Sequence, residues 1–86
     1  MSTKKILDAR AKTHGDFTAN ALVSQQIKNA LFHEMGGSVD FSHVQRESLE
    51  MIALKLSRIA TGNPNVRDHW ADIAGYATLV ANTLED

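Results

Sequence analysis

The sequence predicts an all-α fold, an antiparallel bundle of about four helices, and three observations predict it. Apolar residues recur near a 3.6-residue period in four stretches, and nothing alternates with period two for long enough to make a strand. Turn residues collect between the periodic stretches, at Gly15, Gly36-Gly37 and Gly62, with the single proline at Pro64. The connections that remain are about 4–7 residues long, a length that favours antiparallel neighbours.

Each helix has its own start and stop signals. The first runs from about Thr3 to Lys12, with Ser2 as N-cap and Ile6, Leu7 and Ala9 as apolar residues, and stops at His14-Gly15. Asp16 caps a second helix that extends to about Met35 and ends at Gly36-Gly37. Its apolar set includes Phe17, Ala21, Val23, Ile27, Leu31 and Phe32. Ser42 and Gln45 form a capping box for a third helix from His43 to Thr61, whose main apolar stripe is Leu49, Ile52, Ala53, Leu56, Ile59 and Ala60. Met51 and Leu54 lie off that stripe, and a helix that is apolar on more than one side is buried on more than one side. Asn63-Pro64-Asn65 makes the next turn. The fourth helix runs from about Val66 to Leu84, with Trp70, Ile73, Ala74, Ala77, Ala81 and Leu84 expected to face inward.

Eighty-six residues make one domain, 1–86, and a chain this short buries only about 60–65% of its unfolded surface. With no Cys, neither disulfides nor thiolate metal sites reinforce it, so oligomerisation is the expected source of further stability. Nine Lys and Arg against ten Asp and Glu give a net charge of −1, which disfavours general nucleic-acid binding. No apolar run reaches membrane-spanning length, and no charged-then-apolar leader is present, so a cytoplasmic, non-membrane protein is expected.

The polar residues that carry chemistry lie on the last two helices. Lys55 and Arg58 share one helix face, as do Asp68 and Asp72, because residues three or four apart are neighbours on a helix. Glu47, Met51, Lys55 and Arg58 fall along one line, with Glu50 one step around. Folded back on each other, the two helices set carboxylates that can hold Mg²⁺ against cations that can hold phosphate. Glu47, Glu50, Asp68 and Asp72 are the candidate metal ligands, with Glu50 and Asp72 as the catalytic acids. Lys55 and Arg58 are the candidate phosphate contacts. The other reading of the same residues is structural. Asp68 and Asp72 pair with Lys55 or Arg58 across the groove, and each group also suits its end of the helix dipole.

Other positions divide in the same way. His14-Gly15-Asp16-Phe17 reads as a capped helix junction, or as a loop in which His14 contacts a base or phosphate. Tyr76, one turn past Asp72, can hydrogen-bond that carboxylate or stack on a base. Gly75 inside the fourth helix calls for close helix approach or room for a ligand, and Trp70 reads as core. His33, His43 and His69 read as surface or half-buried residues without zinc spacing.

The order HGDF, then E-x-x-x-x-K-x-x-R-I, then G-N-P-x-x-x-D-x-W-x-D-I-A-G-Y-A-x-L resembles small phage and prophage proteins related to the MazG-like, all-α nucleoside triphosphate pyrophosphohydrolases. It covers roughly residues 12–80. The resemblance implies a four-helix fold assembling as a homodimer or homotetramer, with Mg²⁺-dependent cleavage of a (deoxy)nucleoside triphosphate to monophosphate and pyrophosphate. It also implies metal-binding acids at Glu47, Glu50, Asp68 and Asp72, phosphate contacts at Lys55 and Arg58, and a pocket residue at Tyr76. Better-known members carry denser motifs, E-E-x-x-E and E-x-x-D, than the Glu47-x-x-Glu50 and Asp68-x-x-x-Asp72 found here. An alternative from another class is a non-catalytic helical module that binds a phage or host protein.

Overall fold

The structure, a computed structural model, describes residues 2–34 and 39–85. Those residues are helical, without strands: α1 (Thr3–His14), α2 (Phe17–Asn29), α3 (His43–Thr61) and α4 (Arg67–Ala81). Three of the four starts follow the capping chemistry read from the sequence. The Ser2 hydroxyl accepts from the Lys5 amide, the Asp16 carboxylate accepts from the Ala19 amide at 3.0 Å, and Ser42 and Gln45 complete a reciprocal capping box. The fourth start, Val66, caps through no side chain; there Asn63 Oδ1 accepts from the Asn65 amide and shapes the turn. α2 gives way to a π-helical turn, Ala30–Glu34, in place of the regular helix expected to about Met35. The predicted Gly36-Gly37 stop lies outside the described residues.

α3 is the centre. It packs against α2 on one side and α4 on the other, while α2 and α4 do not pack on each other. Pairs such as Asn20 with Thr61 and Arg46 with Phe32 run in opposite directions along α2 and α3, and Lys55 with Asp72 joins α3 to the antiparallel α4. α1 lies against α2 and α3 and buries none of its residues. The result is an open layer with α1 laid across it, 46 × 27 × 23 Å in extent. Its radius of gyration is 14.7 Å, against about 12 Å for a compact chain of this length.

The buried positions are mostly small and polar: Asn20, Ser24, Ser48, Ala53, Ser57 and His69. Several expectations are corrected here. Phe17, placed with the apolar set of α2, is 82% exposed, because it stands at the helix's first position on the rim of a cavity. Trp70, expected in the core, is 54% exposed and donates its indole N–H to the Pro64 carbonyl at 2.8 Å, tying the α3–α4 turn to α4. His69, expected at the surface or half-buried, is 2% exposed. The face of α4 turned to α3 is thus Val66, His69, Ile73, Tyr76 and Val80, whereas Ala74, Ala77, Ala81 and Leu84 are exposed.

The two helix junctions interlock. Gly15 has φ +80°, a left-handed conformation natural only to glycine, and a Cβ there would stand 2.4 Å from the Thr61 carbonyl oxygen. A Cβ on Gly62 would stand 2.6 Å from the His14 carbonyl carbon. Both clashes are with backbone, which cannot swing aside. The Gly15→Ala variant is therefore expected to lose about 3 kcal/mol of stability, read by urea denaturation, from backbone strain and the clash together.

Candidate functional site

The interlocked junctions are held by side chains whose polar atoms have nowhere else to go. Asn20 donates from Nδ2 to the His14 carbonyl, and its Oδ1 accepts from the Thr61 hydroxyl, which shares its proton with the Ser57 carbonyl. The His69 ring meets the Thr13 carbonyl at 2.8 Å. A carbonyl can only accept, so Nε2 of His69 carries the proton. Among the described residues no buried side-chain nitrogen or oxygen lacks a partner.

Between α1, α2 and α3, beside this knot, lies an open cavity of about 540 Å³. Arg10 and His14 reach it from α1, Asn20 and Lys28 from α2, and Arg58 from α3. Three permanent cations and one histidine face it, with Asp16 the sole carboxylate of its lining. Asp16 is already engaged as the N-cap of α2. Phe17 stands at the rim. Such a concavity suits an anion with an aromatic or apolar part.

His14 carries the electrostatic signature of the site. Burial lowers its pKa from the ordinary 6.5, and electrostatic repulsion from Arg58, the neighbouring His69 ring and Lys55 lowers it further, opposed by the Thr13 backbone hydrogen bond. Its Nδ1 lies 2.9 Å from the Thr13 hydroxyl, which itself donates to the Arg10 carbonyl at 3.2 Å. The direction of the Thr13–Nδ1 bond follows the tautomer of the ring.

The acids sit apart from this cavity. Asp72 pairs with Lys55 at 2.9 Å, the lysine 13% and the carboxylate 47% exposed. Asp68 is exposed in the first turn of α4, one turn before Asp72. Glu50 pairs with Arg46 at 3.2 Å, and Arg46 in turn stacks over the Phe32 ring at 4.2 Å. Glu47 is exposed. Glu50 and Glu47 lie five and eight residues from Lys55, roughly 7.5 and 12 Å along the axis of α3. Tyr76 is half-buried on the α3 side of α4. Of the residues singled out in the sequence, His14 and Arg58 meet in the cavity and Lys55 meets Asp72; Glu47, Glu50, Asp68 and Tyr76 are not brought into the cavity lining. Among the described residues no three His, Asp or Glu side chains gather as a ready-made metal cluster.

Residues 2–84 match the model of a family described as a domain of unknown function, DUF6378. The chain belongs to the DUF6378 family. No curated protein and no solved structure matches it. In this DUF6378 chain, sequence reasoning missed Arg10, Asn20 and Lys28 as cavity residues. A signal was there: Arg10 lies one turn before His14, and Asn20, Ser24 and Lys28 recur every four residues, a polar line on a helix read only for its apolar one.

The depressed pKa of His14 sets a pH dependence of stability. Below pH 6.5 the unfolded chain takes up a proton that the folded chain resists, so stability present above 6.5 is lost as the pH falls toward the folded value. Urea midpoints should therefore drop between pH 7.5 and 5.5, and His14→Gln should flatten that slope.

Proposed function

We propose that this DUF6378 domain binds the phosphates of a nucleoside triphosphate in the cavity beneath α1 and cleaves it, with Mg²⁺, to the monophosphate and pyrophosphate. The observation that carries the reading is the convergence of Arg10, Lys28, Arg58 and neutral His14 on one concavity. Arg58 lies one turn from Lys55, so the cationic wall of the cavity adjoins the Lys55–Asp72 pair. The resemblance of the HGDF and D-x-W-x-D segments to MazG-like proteins supports the same chemistry, and with it a phage or prophage setting in a host cytoplasm.

In this reading the magnesium ion would be held by acids of α4. Asp68 and Asp72, one turn apart on α4, offer one or two carboxylate oxygens, and Mg²⁺ is content with that when water and substrate phosphate fill the remaining positions. Bound there, it would supply charge neutralisation and an activated water. The chain's own residues bind and orient. Arg58, Arg10 and Lys28 hold the phosphate oxygens, and Lys55 releases Asp72 as a phosphate takes its place. His14, neutral at pH 7, accepts a hydrogen bond without adding charge, and on taking a proton from the attacking water becomes a cation. Water attacks the α-phosphorus, the α–β bridging bond breaks, and pyrophosphate leaves.

A second reading, a non-catalytic helical interaction module, is favoured by the Lys55–Asp72 pair already closed without ligand and by the exposed Phe17 and Trp70. Thermal denaturation separates the two. A nucleoside triphosphate with Mg²⁺ at 100 times its dissociation constant adds about 2.7 kcal/mol, a rise on the order of 10 °C for a domain this size. The pyrophosphohydrolase reading expects that rise only with both together, and its loss in Arg58→Ala. Asp68→Asn should keep the melting temperature of the free protein and abolish pyrophosphate release. No rise with any nucleotide would leave the interaction module as the better reading.

A further inference from the structure

The outer side of α4 carries a signal that neither the cavity nor the acids use. From Ile73 to Leu84 the chain holds no charged residue. A helix that turns one side to water normally carries charges on that side. Here Ile73, Tyr76 and Val80 face α3, and Ala74, Gly75, Thr78 and Leu79 are exposed, with no second helix covering them among the described residues. Gly75 makes the point sharply. Glycine inside a helix is costly, yet a Cβ placed on it would meet nothing within 4 Å. Nothing in the chain itself explains that glycine.

We propose that the outer face of α4 is the interface with a second copy of this chain, packed antiparallel about a twofold axis between Ala74 and Gly75. Three observations select a second copy as the occupant. The first is area. The accessible surface is 6382 Å², about 1,400 Å² more than the roughly 5,000 Å² of a compact monomer of this mass, while a standard interface takes about 800 Å² from each partner. The second is shape. An antiparallel pairing at that centre sets Trp70 of each copy level with residue 79 of the other, beside an apolar groove of about 290 Å³ lined by Phe41, Ile52, Ala77 and Val80. Trp70 and the groove's edge at Ala77 stand seven residues apart on one side of α4, flanking the outer face, so a twofold axis repeats both.

The third is charge. Arg67 opens α4, where the helix dipole disfavours a cation, and the last turn of α4 holds no basic residue of its own. The same pairing brings Arg67 of one copy to the C-terminal carbonyls of the other, at the level of Asn82. Both mismatches are then relieved together. This interface stands independently of the nucleotide reading, since it uses none of the cavity residues.

The test is mass and melting of the purified chain. Sedimentation equilibrium should give twice the 9.4 kDa chain mass, and the melting temperature should rise with protein concentration. Ala74→Arg, outward on an exposed position, should give a helical monomer by sedimentation and circular dichroism. Gly75→Ala supplies an opposite-sign readout that survives if Ala74→Arg does not fold. In an isolated chain it raises the melting temperature, whereas at the interface it weakens dimerisation about tenfold or more. A monomer at all concentrations, a dimer untouched by Ala74→Arg, or a Gly75→Ala variant that simply melts higher would each overturn the proposal.

Discussion

The knot between Gly15 and Gly62 is the constraint on which the other contacts depend. Two helix junctions approach so closely that neither tolerates a Cβ, and the approach brings the Thr61 hydroxyl to Asn20 and the His69 ring to the Thr13 carbonyl. Backbone groups that would otherwise be stranded by the turns are satisfied there by side chains. Because the knot joins the end of α1, the start of α2, the end of α3 and the start of α4, it sets all four helix directions at one end of the molecule. Small polar residues at Ser24, Ser48 and Ser57 let α2 and α3, and α3 and α4, lie close without large side chains between them. The interior is thin, and specificity comes from satisfied hydrogen bonds more than from apolar volume.

Helix count, three of the caps and the turns at Gly15 and Gly62 were legible in the sequence because they rest on local chemistry. Ser2, Asp16 and the Ser42–Gln45 box each act within four residues of where they stand. The facing of α4 was not legible. Its apolar residues form two stripes, one through Ile73 and Val80 and one through Trp70, Ala74, Ala77 and Ala81, and periodicity alone cannot say which meets α3. The deciding residue was His69, whose bond to Thr13 spans 56 positions and leaves no local trace. The cavity was half legible. His14 and Arg58 stood out as charged residues at junction and helix end, whereas Arg10 and Lys28 looked like ordinary surface cations until α1 was laid across the layer.

The acids illustrate a different limit. Spacing put Asp68 and Asp72 on one face and Lys55 and Arg58 on another, and the chain does bring Lys55 to Asp72. It separates the second cation from that pair: Arg58 lies one turn farther along α3 and lines the cavity beside His14. A face shared on a helix wheel is about 100° wide, so two residues on it can still address different neighbours. Glu50 was drawn off in the same way by Arg46, a residue with its own claim on Phe32.

α1 connects the knot to the cavity. It is twelve residues long, buries none of them, and a helix of that length is marginal in water by itself. Its residues Arg10 and His14 nonetheless form one wall of the cavity, so that wall is only as well placed as α1 is. What places it is the C-terminal turn, where Gly15 bonds back to the Ala11 carbonyl and Thr13 is gripped by His69. An anion seated between Arg10 and Arg58 would tie α1 to α3 by a charge bridge that the free chain lacks, and the repulsion from Arg58, which adds to burial in lowering the His14 pKa, would fall as that cation is paired. Binding of such an anion and the ordering of α1 would in that sense be one equilibrium, anchored at the glycine knot and closed across the cavity.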